Sequence, residues 1–331
     1  MLHAFMRWKT WIGLLVSAVF LYLSFRKVDL AEMKSALSQA HYIYVLPSIV
    51  FLLIGFWIRA LRWKILLQPV KEIGTHTLFS ATMIGFMANN VLPARLGEFV
   101  RADAIGRQAT ISRSAAFATI VVERLFDGLT LLLFLVVTLA FSSFPDWVRE
   151  AGIGALGVYG IGIAFIYLLH ARMETAIRVL QVLFRPLPDR VSEKLIRQTK
   201  LFGSGLHVLS QVRHLVLISL FSIILWVVNV ASLQCILDAF DLNLPWYAAF
   251  MVEVILSMGV ILPSSPGFVG VFQGFCILAL ALFGVSQSVA LGFSVVLHVS
   301  GYIPVTAIGL FYFWRAHLSF KEIHALPKEA S

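Results

Sequence analysis

The sequence predicts an all-α polytopic membrane protein with about six full spans and two re-entrant broken hairpins, related as an inverted repeat. Composition is the first ground. The 331 residues are 60% hydrophobic and 13% charged, against about 25% charged in soluble domains, and the mean hydropathy is +0.89. Long apolar runs are the second. Leu125 to Phe141 carries one charge, Asp127, and Leu215 to Leu237 carries none. Such lengths approach or meet the ~20 residues that cross a bilayer. The third ground is a repeated break. Val91-Leu92-Pro93-Ala94-Arg95-Leu96-Gly97-Glu98 and Ile261-Leu262-Pro263-Ser264-Ser265-Pro266-Gly267-Phe268 share Leu-Pro-x-x-x-Gly, 170 residues apart. Proline removes a backbone donor and glycine permits non-helical angles, so each segment interrupts a helix. In hydrocarbon the freed polar groups are tolerated only where protein or a water-filled cavity covers them. Paired broken segments in corresponding halves point to a transport site.

The first span is 10–25. Arg7 and Lys9 precede it in the manner of a signal peptide, but Arg26-Lys27-Val28-Asp29 follows with no small-x-small cleavage site, so the span is retained. The further apolar segments are 42–58, 77–92, 114–141, 152–169, 215–237, 246–262, 268–283 and 288–314. Loop charge orders them. Segment 59–76 holds Arg59, Arg62, Lys64 and Lys71, and segment 171–213 holds eight basic residues, so both are expected in the cytoplasm. Segments 142–151 and 238–245 lack a basic excess and are expected outside. The stretch 94–113 carries Arg95, Arg101, Arg107 and Arg113 and also reads as cytoplasmic. Segment 77–92 therefore starts and ends on one side, as the descending arm of a hairpin turning at Asn89-Asn90-Val91-Leu92-Pro93. By the same logic 246–262 and 268–283 form a second hairpin, entering from outside. The six full spans are 10–25, 42–58, 114–141, 152–169, 215–237 and 288–314, and three crossings per half invert the second half. Segment 26–41 is thereby forced outside, although it holds Arg26, Lys27 and Lys34 against Asp29 and Glu32.

The chain is read as one transmembrane domain, 1–331. It divides into a first repeat half 1–170, an amphipathic cytosolic linker 171–213, a second half 214–316 and a cytosolic tail 317–331. Both termini are expected in the cytoplasm, in a multi-pass protein of the cell inner membrane. In the linker, Ile177, Leu180 and Phe184 share a helix face, and Arg185-Pro186-Leu187-Pro188 breaks the helix. The formal charge of +9 fits cytoplasmic loops and anionic lipid headgroups rather than nucleic acid. Cys235 and Cys276 have neither metal-ligand spacing nor a disulfide framework. No cofactor or metal motif is present in the sequence.

Glu123, Arg124 and Asp127 sit inside an apolar helix. If that helix begins near Ser114, Glu123 lies about 14 Å along it. A charge at such depth costs at least ~2.5–3.5 kcal/mol on insertion scales, so these residues face protein or a cavity. Glu123 and Asp127 share a face. Two roles fit them: an ion-pair brace with Arg95, Glu98 or Arg101 as partner, or contact with substrate. Arg95 and Arg101, beside a broken helix, suit a phosphate, because guanidinium groups bind its oxygens bidentately and helix amino termini favour anions. They would serve equally as topology markers. Asn89 and Asn90 can satisfy freed backbone groups at the turn. In the second hairpin Pro263, Pro266, Gly267 and Gly270 shape the backbone, with Gln273 the nearest polar side chain. Glu253 is a lone intramembrane acid, for which a functional or paired role is the default. His298 fits a packing role better than proton transfer. Asn229 and Gln234 suit interhelical hydrogen bonds.

Taken together, Asn90-Val91-Leu92-Pro93-Ala94-Arg95-Leu96-Gly97-Glu98 with Arg101, then Glu123-Arg124 and Asp127, then Pro263-x-x-Pro266-Gly267-x-x-Gly270, resemble the flippase-like transmembrane domain of lysylphosphatidylglycerol synthases and its stand-alone relatives. The resemblance spans nearly the whole chain. It implies a polytopic protein that moves or handles lipids or lipid-linked glycans. Such proteins often carry Glu where this chain has Gln273. No soluble aminoacyltransferase domain follows before Ser331, so lysine transfer from transfer RNA is not expected.

The leading expectation is a translocator of an anionic lipid or lipid-linked glycan, passive or ion-coupled because no nucleotide-binding motif appears. Arg95 and Arg101 would receive the phosphate, Glu123, Arg124 and Asp127 would position it, and the hairpins carrying Gly97, Glu98, Glu253, Gly267 and Gln273 would gate the path. The alternatives are a membrane-embedded headgroup enzyme and a non-catalytic membrane partner of a glycosyltransferase or lipid synthase. Headgroup release by purified protein marks the first. Co-purification without transport marks the second.

Overall fold

A computed structural model describes residues 2–92, 96–183, 189–262, 264–316 and 318. Among them the chain is all helical: α1 (Leu2–Phe25), α2 (Leu30–Gln39), α3 (Val45–Leu67), α4 (Thr75–Val91), α5 (Gly97–Ala109), α6 (Arg113–Phe141), α7 (Asp146–Ala171), α8 (Met173–Leu183), α9 (Asp189–Gly205), α10 (Val212–Ala239), α11 (Ala248–Val260), α12 (Val271–Ala281) and α13 (Gln287–Arg315). Four stretches are long and apolar enough to cross a membrane: Tyr42–Leu67, Asp146–Leu169, Val212–Ala239 and Gln287–Arg315. Trp11–Phe25 with Leu30–Gln39 makes a fifth, bent by 88°. The protein is thus an all-α polytopic membrane protein. α6 equals α13 in length at 29 residues but carries Glu123, Arg124 and Asp127. α5 and α11, 13 residues each, and α12, 11 residues, reach only about 16–20 Å, short of a ~30 Å hydrocarbon core.

Side-chain oxygens start three of the helices. Asp29 accepts from Ala31 N and Glu32 N at α2, Ser112 from Ala115 N at α6, and Ser286 from Val289 N at α13. Glycine and serine let helices cross closely. α3 lies along α10 where Ser48 and Ser232 meet at 3.0 Å and a Cβ on Gly55 would stand 2.9 Å from Asn229 Oδ1. α13 crosses α4 at Gly309, where a Cβ would stand 2.6 Å from the Met83 carbonyl oxygen.

The packing partners come in matched sets. α4 packs on α5 as α11 packs on α12. α5 packs on α6 as α12 on α13. α3 packs on α4 as α10 on α11, and α4 packs on α13 as α11 on α6. The short-helix pairs α4–α5 and α11–α12 therefore lean on α13 and α6 respectively. Among the described residues two large apolar cores result, with a small third cluster of Phe56, Met83 and Val305. One gathers Trp63, Ile84, Ile105, Val122 and Phe313, and the other Phe134, Val230, Ile255, Leu280 and Phe293.

Connections gather at two ends. At one, Asp29 N donates to Ser288 Oγ at 3.0 Å, His41 N to the Ala239 carbonyl at 2.7 Å, and Phe144 rests on Tyr247 and Phe283. At the other, Lys71 Nζ donates to the Ala109 carbonyl at 2.9 Å and Tyr312 meets His76 at 3.1 Å.

One expectation from sequence needs correction. Segment 59–76 is not a basic loop: α3 continues to Leu67 with Arg59 and Arg62 buried, leaving only 68–74 as connection. Segment 26–41 contains α2, whose Glu32 accepts from Ser286 at 2.6 Å. Within 171–213, Gly205 of α9 abuts Ala115 and Ala118 of α6 and Ser114 hydrogen-bonds Gln198. The expected break at residues 185–188 and almost all of the tail 317–331 lie outside the described residues.

α4 and α5 touch through two glycines. A Cβ on Gly97 would overlap the Gly85 carbonyl oxygen and stand 2.5 Å from Asn89 Oδ1. Gly97→Ala is expected to lower stability by about 1–3 kcal/mol through overpacking, read as a reduced melting temperature in detergent. A variant that melts with the wild type would contradict this crossing.

Candidate functional site

The charges buried between the two cores form one network. Arg101 on α5 forks onto Glu123 on α6, Nη1 to Oε1 at 2.8 Å and Nη2 to Oε2 at 3.0 Å. Arg59 on α3 spans both acids, 3.0 Å from Glu123 Oε1 and 3.0 Å from Asp127 Oδ2. Arg62, one turn further, donates to Asp127 Oδ1 at 2.7 Å and to Ser222 on α10 at 2.6 Å. Trp226 Nε1 completes the shell of Asp127 at 3.1 Å. The Arg101 guanidinium lies over the Trp63 ring, 3.8 Å from its centroid, and Trp63 Nε1 donates to Thr119. Glu123 and Arg62 are fully buried and Arg101 is 1% exposed.

Arg124 sits at the edge. Its contacts are long, 3.4 Å to Asp127 and 3.5 Å to Glu98, its Nε has no hydrogen-bond partner, and its side chain is 35% exposed. Four arginines against three carboxylates leave one net positive charge. These residues converge because Arg59 and Arg62 share a face of α3 at i, i+3, while Glu123 and Asp127 share a face of α6 at i, i+4.

Beside the network lies a cavity of about 720 Å³. Its polar lining is Arg59, Arg124, Asp127, Glu98, Asn229, Glu253, His298 and Tyr302, set among Leu, Ile, Val and Phe side chains. Tyr159 of α7 enters against Gly128, where a Cβ would overlap its ring.

Both broken segments abut this cavity. At the first, Asn89 Oδ1 accepts from Gly97 N at 2.7 Å, satisfying an amide at the start of α5. At the second, Gln273 Oε1 accepts from Gly270 N at 2.7 Å and so caps α12. Because that oxygen is used, the Gln273 amide nitrogen donates to His298 Nδ1 at 3.0 Å, and Phe272 stacks on the same ring. Gly267 and Gly270 adopt φ of +69° and +89°, which a side chain would resist. The segments meet: a Cβ on Gly267 would stand 3.3 Å from the Asn90 carbonyl oxygen, and Tyr302 OH donates to that oxygen at 3.3 Å. Asn90 Nδ2 also donates to Thr306 at 2.9 Å.

Of the residues singled out from sequence, Asn89, Asn90, Glu98, Arg124, Asp127 and Glu253 line the cavity. Glu123 and Arg101 stand behind it in the ion-pair network. Gly97, Pro266, Gly267, Gly270 and Gln273 shape the turns. Pro93, Arg95 and Pro263 lie outside the described residues. Sequence reasoning missed Arg59 and Arg62, which it assigned to a loop. Their spacing within Trp57-Ile58-Arg59-Ala60-Leu61-Arg62-Trp63, two charges on one face of an apolar helix, was the available signal.

Comparison with known proteins agrees with this architecture. Residues 10–309 match the family model described as the lysylphosphatidylglycerol synthase TM region. A UPF0104 membrane protein of Methanothermobacter thermautotrophicus is 23% identical over 296 residues, covering 84% of this chain and 87% of that protein. Glycosyltransferase AglD of Haloferax volcanii is 26% identical over 325 residues, covering 86% of this chain and 51% of that one, so the chain spans about half of its length.

Removing Glu123 would leave Arg59, Arg62 and Arg101 facing one another with a single acid. Truncating one partner of a buried pair costs ~3–5 kcal/mol. Glu123→Ala is therefore expected to melt far below the wild type in detergent, while Arg124→Ala, at the exposed edge, shifts melting little. Equal melting shifts for the two variants would refute the division between a buried brace and a cavity-facing arginine.

Proposed function

Because the chain belongs to the family of the lysylphosphatidylglycerol synthase TM region, we infer that its membrane role in handling lipids or glycolipids is translocation of an anionic headgroup through the central cavity. The supporting observation is the loosely held Arg124 guanidinium, which faces that cavity beside the meeting point of two broken helix pairs. A phosphate is its natural ligand, because a guanidinium held only by long contacts of 3.4 and 3.5 Å can turn its Nη donors to phosphate oxygens. The +1 balance of the network favours an anion in the cavity. Asn89, Asn90 and Glu98 border the same space, and Arg95 keeps the phosphate-receiving role expected from sequence. Arg101 is assigned to the brace, since Glu123 and Trp63 take up its guanidinium.

In this reading α4–α5 and α11–α12 are re-entrant hairpins from opposite sides, and the matched packing sets reflect an inverted repeat with six full spans. The basic end bearing Lys71 and 171–213 faces the cytoplasm with both termini, and the end bearing Asp29, Phe144 and Tyr247 faces outward. The membrane is assigned as the cytoplasmic, or inner, membrane of a prokaryotic cell. Single cysteines at Ser35 and Lys71 test this: a membrane-impermeant maleimide applied to intact cells should label the first and not the second. Labelling at Lys71 from outside would overturn the orientation.

A second reading follows from the relative named as a glycosyltransferase. The domain would then be the membrane partner of a glycosyltransferase or synthase, delivering or holding its lipid substrate. Native mass spectrometry of gently extracted protein and headgroup translocation in proteoliposomes separate the two readings. Translocation predicts a retained anionic lipid and movement that falls at least about tenfold in Arg124→Ala. Retained lipid without any movement in the wild type would favour the partner role.

A further inference from the structure

Glu253 stands apart from the ion-pair network. It lies on α11, midway between Ala248 and Val260, and lines the central cavity. Among the described residues no hydrogen bond or ion pair reaches its carboxylate. Its helix packs on α6, α10 and α12. From α6 the charged groups at the cavity are Arg124 and Asp127, already engaged with Glu98 and with Arg59 and Arg62. From α10 the cavity-lining residues are Leu225, Trp226, Asn229, Ser232 and Leu233, none of which titrates near neutrality. α12 contributes only Cys276, buried in the core. His298, which also lines the cavity, accepts from Gln273 and stacks on Phe272, so its ring is held.

An unpaired carboxylate in an apolar wall is costly when ionised. Occupancy sharpens the cost. Two negative charges on the order of 10 Å apart, at an effective dielectric of about 20, oppose each other by more than a tenfold change in proton affinity. A phosphate entering the cavity therefore raises the proton affinity of Glu253, and by reciprocity a protonated Glu253 raises the affinity for the phosphate. Arg124, being permanently charged, cannot take that part.

We propose that Glu253 is the coupling site of this protein, taking up one proton with each anionic headgroup and releasing it on the opposite side. This rests on the translocator reading and supplies its energy source. The proton adds to a Glu253 carboxylate oxygen and leaves from the same atom, so no other reactant is required. A carrier that moves one proton per singly charged lipid is driven by a pH difference. One pH unit then sustains up to about a tenfold probe asymmetry between leaflets, with the probe enriched on the alkaline side.

The test uses the full chain in phosphatidylcholine vesicles with NBD-labelled phosphatidylglycerol and, separately, an NBD-labelled polyprenyl phosphate, read by dithionite quenching. The wild type should redistribute one of them several-fold towards the alkaline side under a one-unit gradient, and Glu253→Gln should show no gradient response. Glu253→Asp, which keeps the carboxyl, should restore part of it. Equal distribution with and without the gradient in the wild type would overturn the coupling while leaving translocation intact. Failure to move either probe at any pH would defeat the translocator reading and the coupling with it. Should Glu253→Gln not fold, the wild type alone decides. Adding short-chain phosphatidylglycerol to the detergent-solubilised protein at a series of pH values from about 6 to 9 should withdraw protons from an indicator dye, up to one per bound lipid, with the largest uptake where free Glu253 is ionised and occupied Glu253 is not. No uptake at any of these pH values would refute the proposal.

Discussion

Charge inside a bilayer must be neutralised locally, and the arrangement of this protein follows from how Glu123 and Asp127 meet that requirement. Both acids sit on α6 amid leucines and valines. Neither is tolerable alone at such depth, and three arginines from two other helices reach them. The network therefore does more than neutralise. Arg59 and Arg62 bind α3 to α6, Arg62 extends the tie to α10 through Ser222, and Arg101 pins α5. α5 is too short to anchor itself across the membrane, and its fork onto Glu123 together with the glycine contact to α4 holds it in place. Replacing such a network by apolar side chains need not destabilise a protein. Its value lies in fixing one register between helices that apolar packing would let slide.

The second constraint is the backbone at the breaks. Each break frees backbone amides, and each is answered by a side-chain amide. Asn89 serves the start of α5 and Gln273 the start of α12. The chemistry recurs although the residues occupy different positions relative to their prolines. The contact between the Asn90 carbonyl, Tyr302 and Gly267 joins the two breaks. The two breaks are thus in direct contact beside one cavity.

Much of this was legible in the sequence. Apolar length located the long helices, and the Leu-Pro-x-x-x-Gly repeats located both breaks, because proline and glycine act locally. The depth of Glu123 and Asp127 signalled buried pairing, and Arg101 was among the partners considered. Arg59 and Arg62 were misassigned because the rule that basic residues mark cytoplasmic loops treats charge as a property of loops. Two arginines at i, i+3 between Trp57 and Trp63 obey helix periodicity instead. Which arginine faces the cavity could not be read from spacing. Arg101 and Arg124 are equally charged, and only three-dimensional packing makes one a bidentate brace and the other a loosely held edge group. The bend between α1 and α2 was likewise invisible, since its cause is tertiary: Ser286, Gln287 and Ser288 hydrogen-bond both arms.

The cavity sits where these constraints intersect, bounded by the exposed edge of the ion-pair network and by the two turns. Its lining combines Arg59 and Arg124 with the unpaired Glu253. The position of α5 against α6 depends on Arg101 and Glu123 acting as a buried structural pair. A double-mutant cycle on thermal or denaturant stability in detergent, using Arg101→Gln, Glu123→Gln and the combination, measures that directly. A strong coupling of about 1.5–3 kcal/mol is expected, with the double variant more stable than additivity of the single losses allows. Additive losses, with no coupling between the two sites, would contradict it.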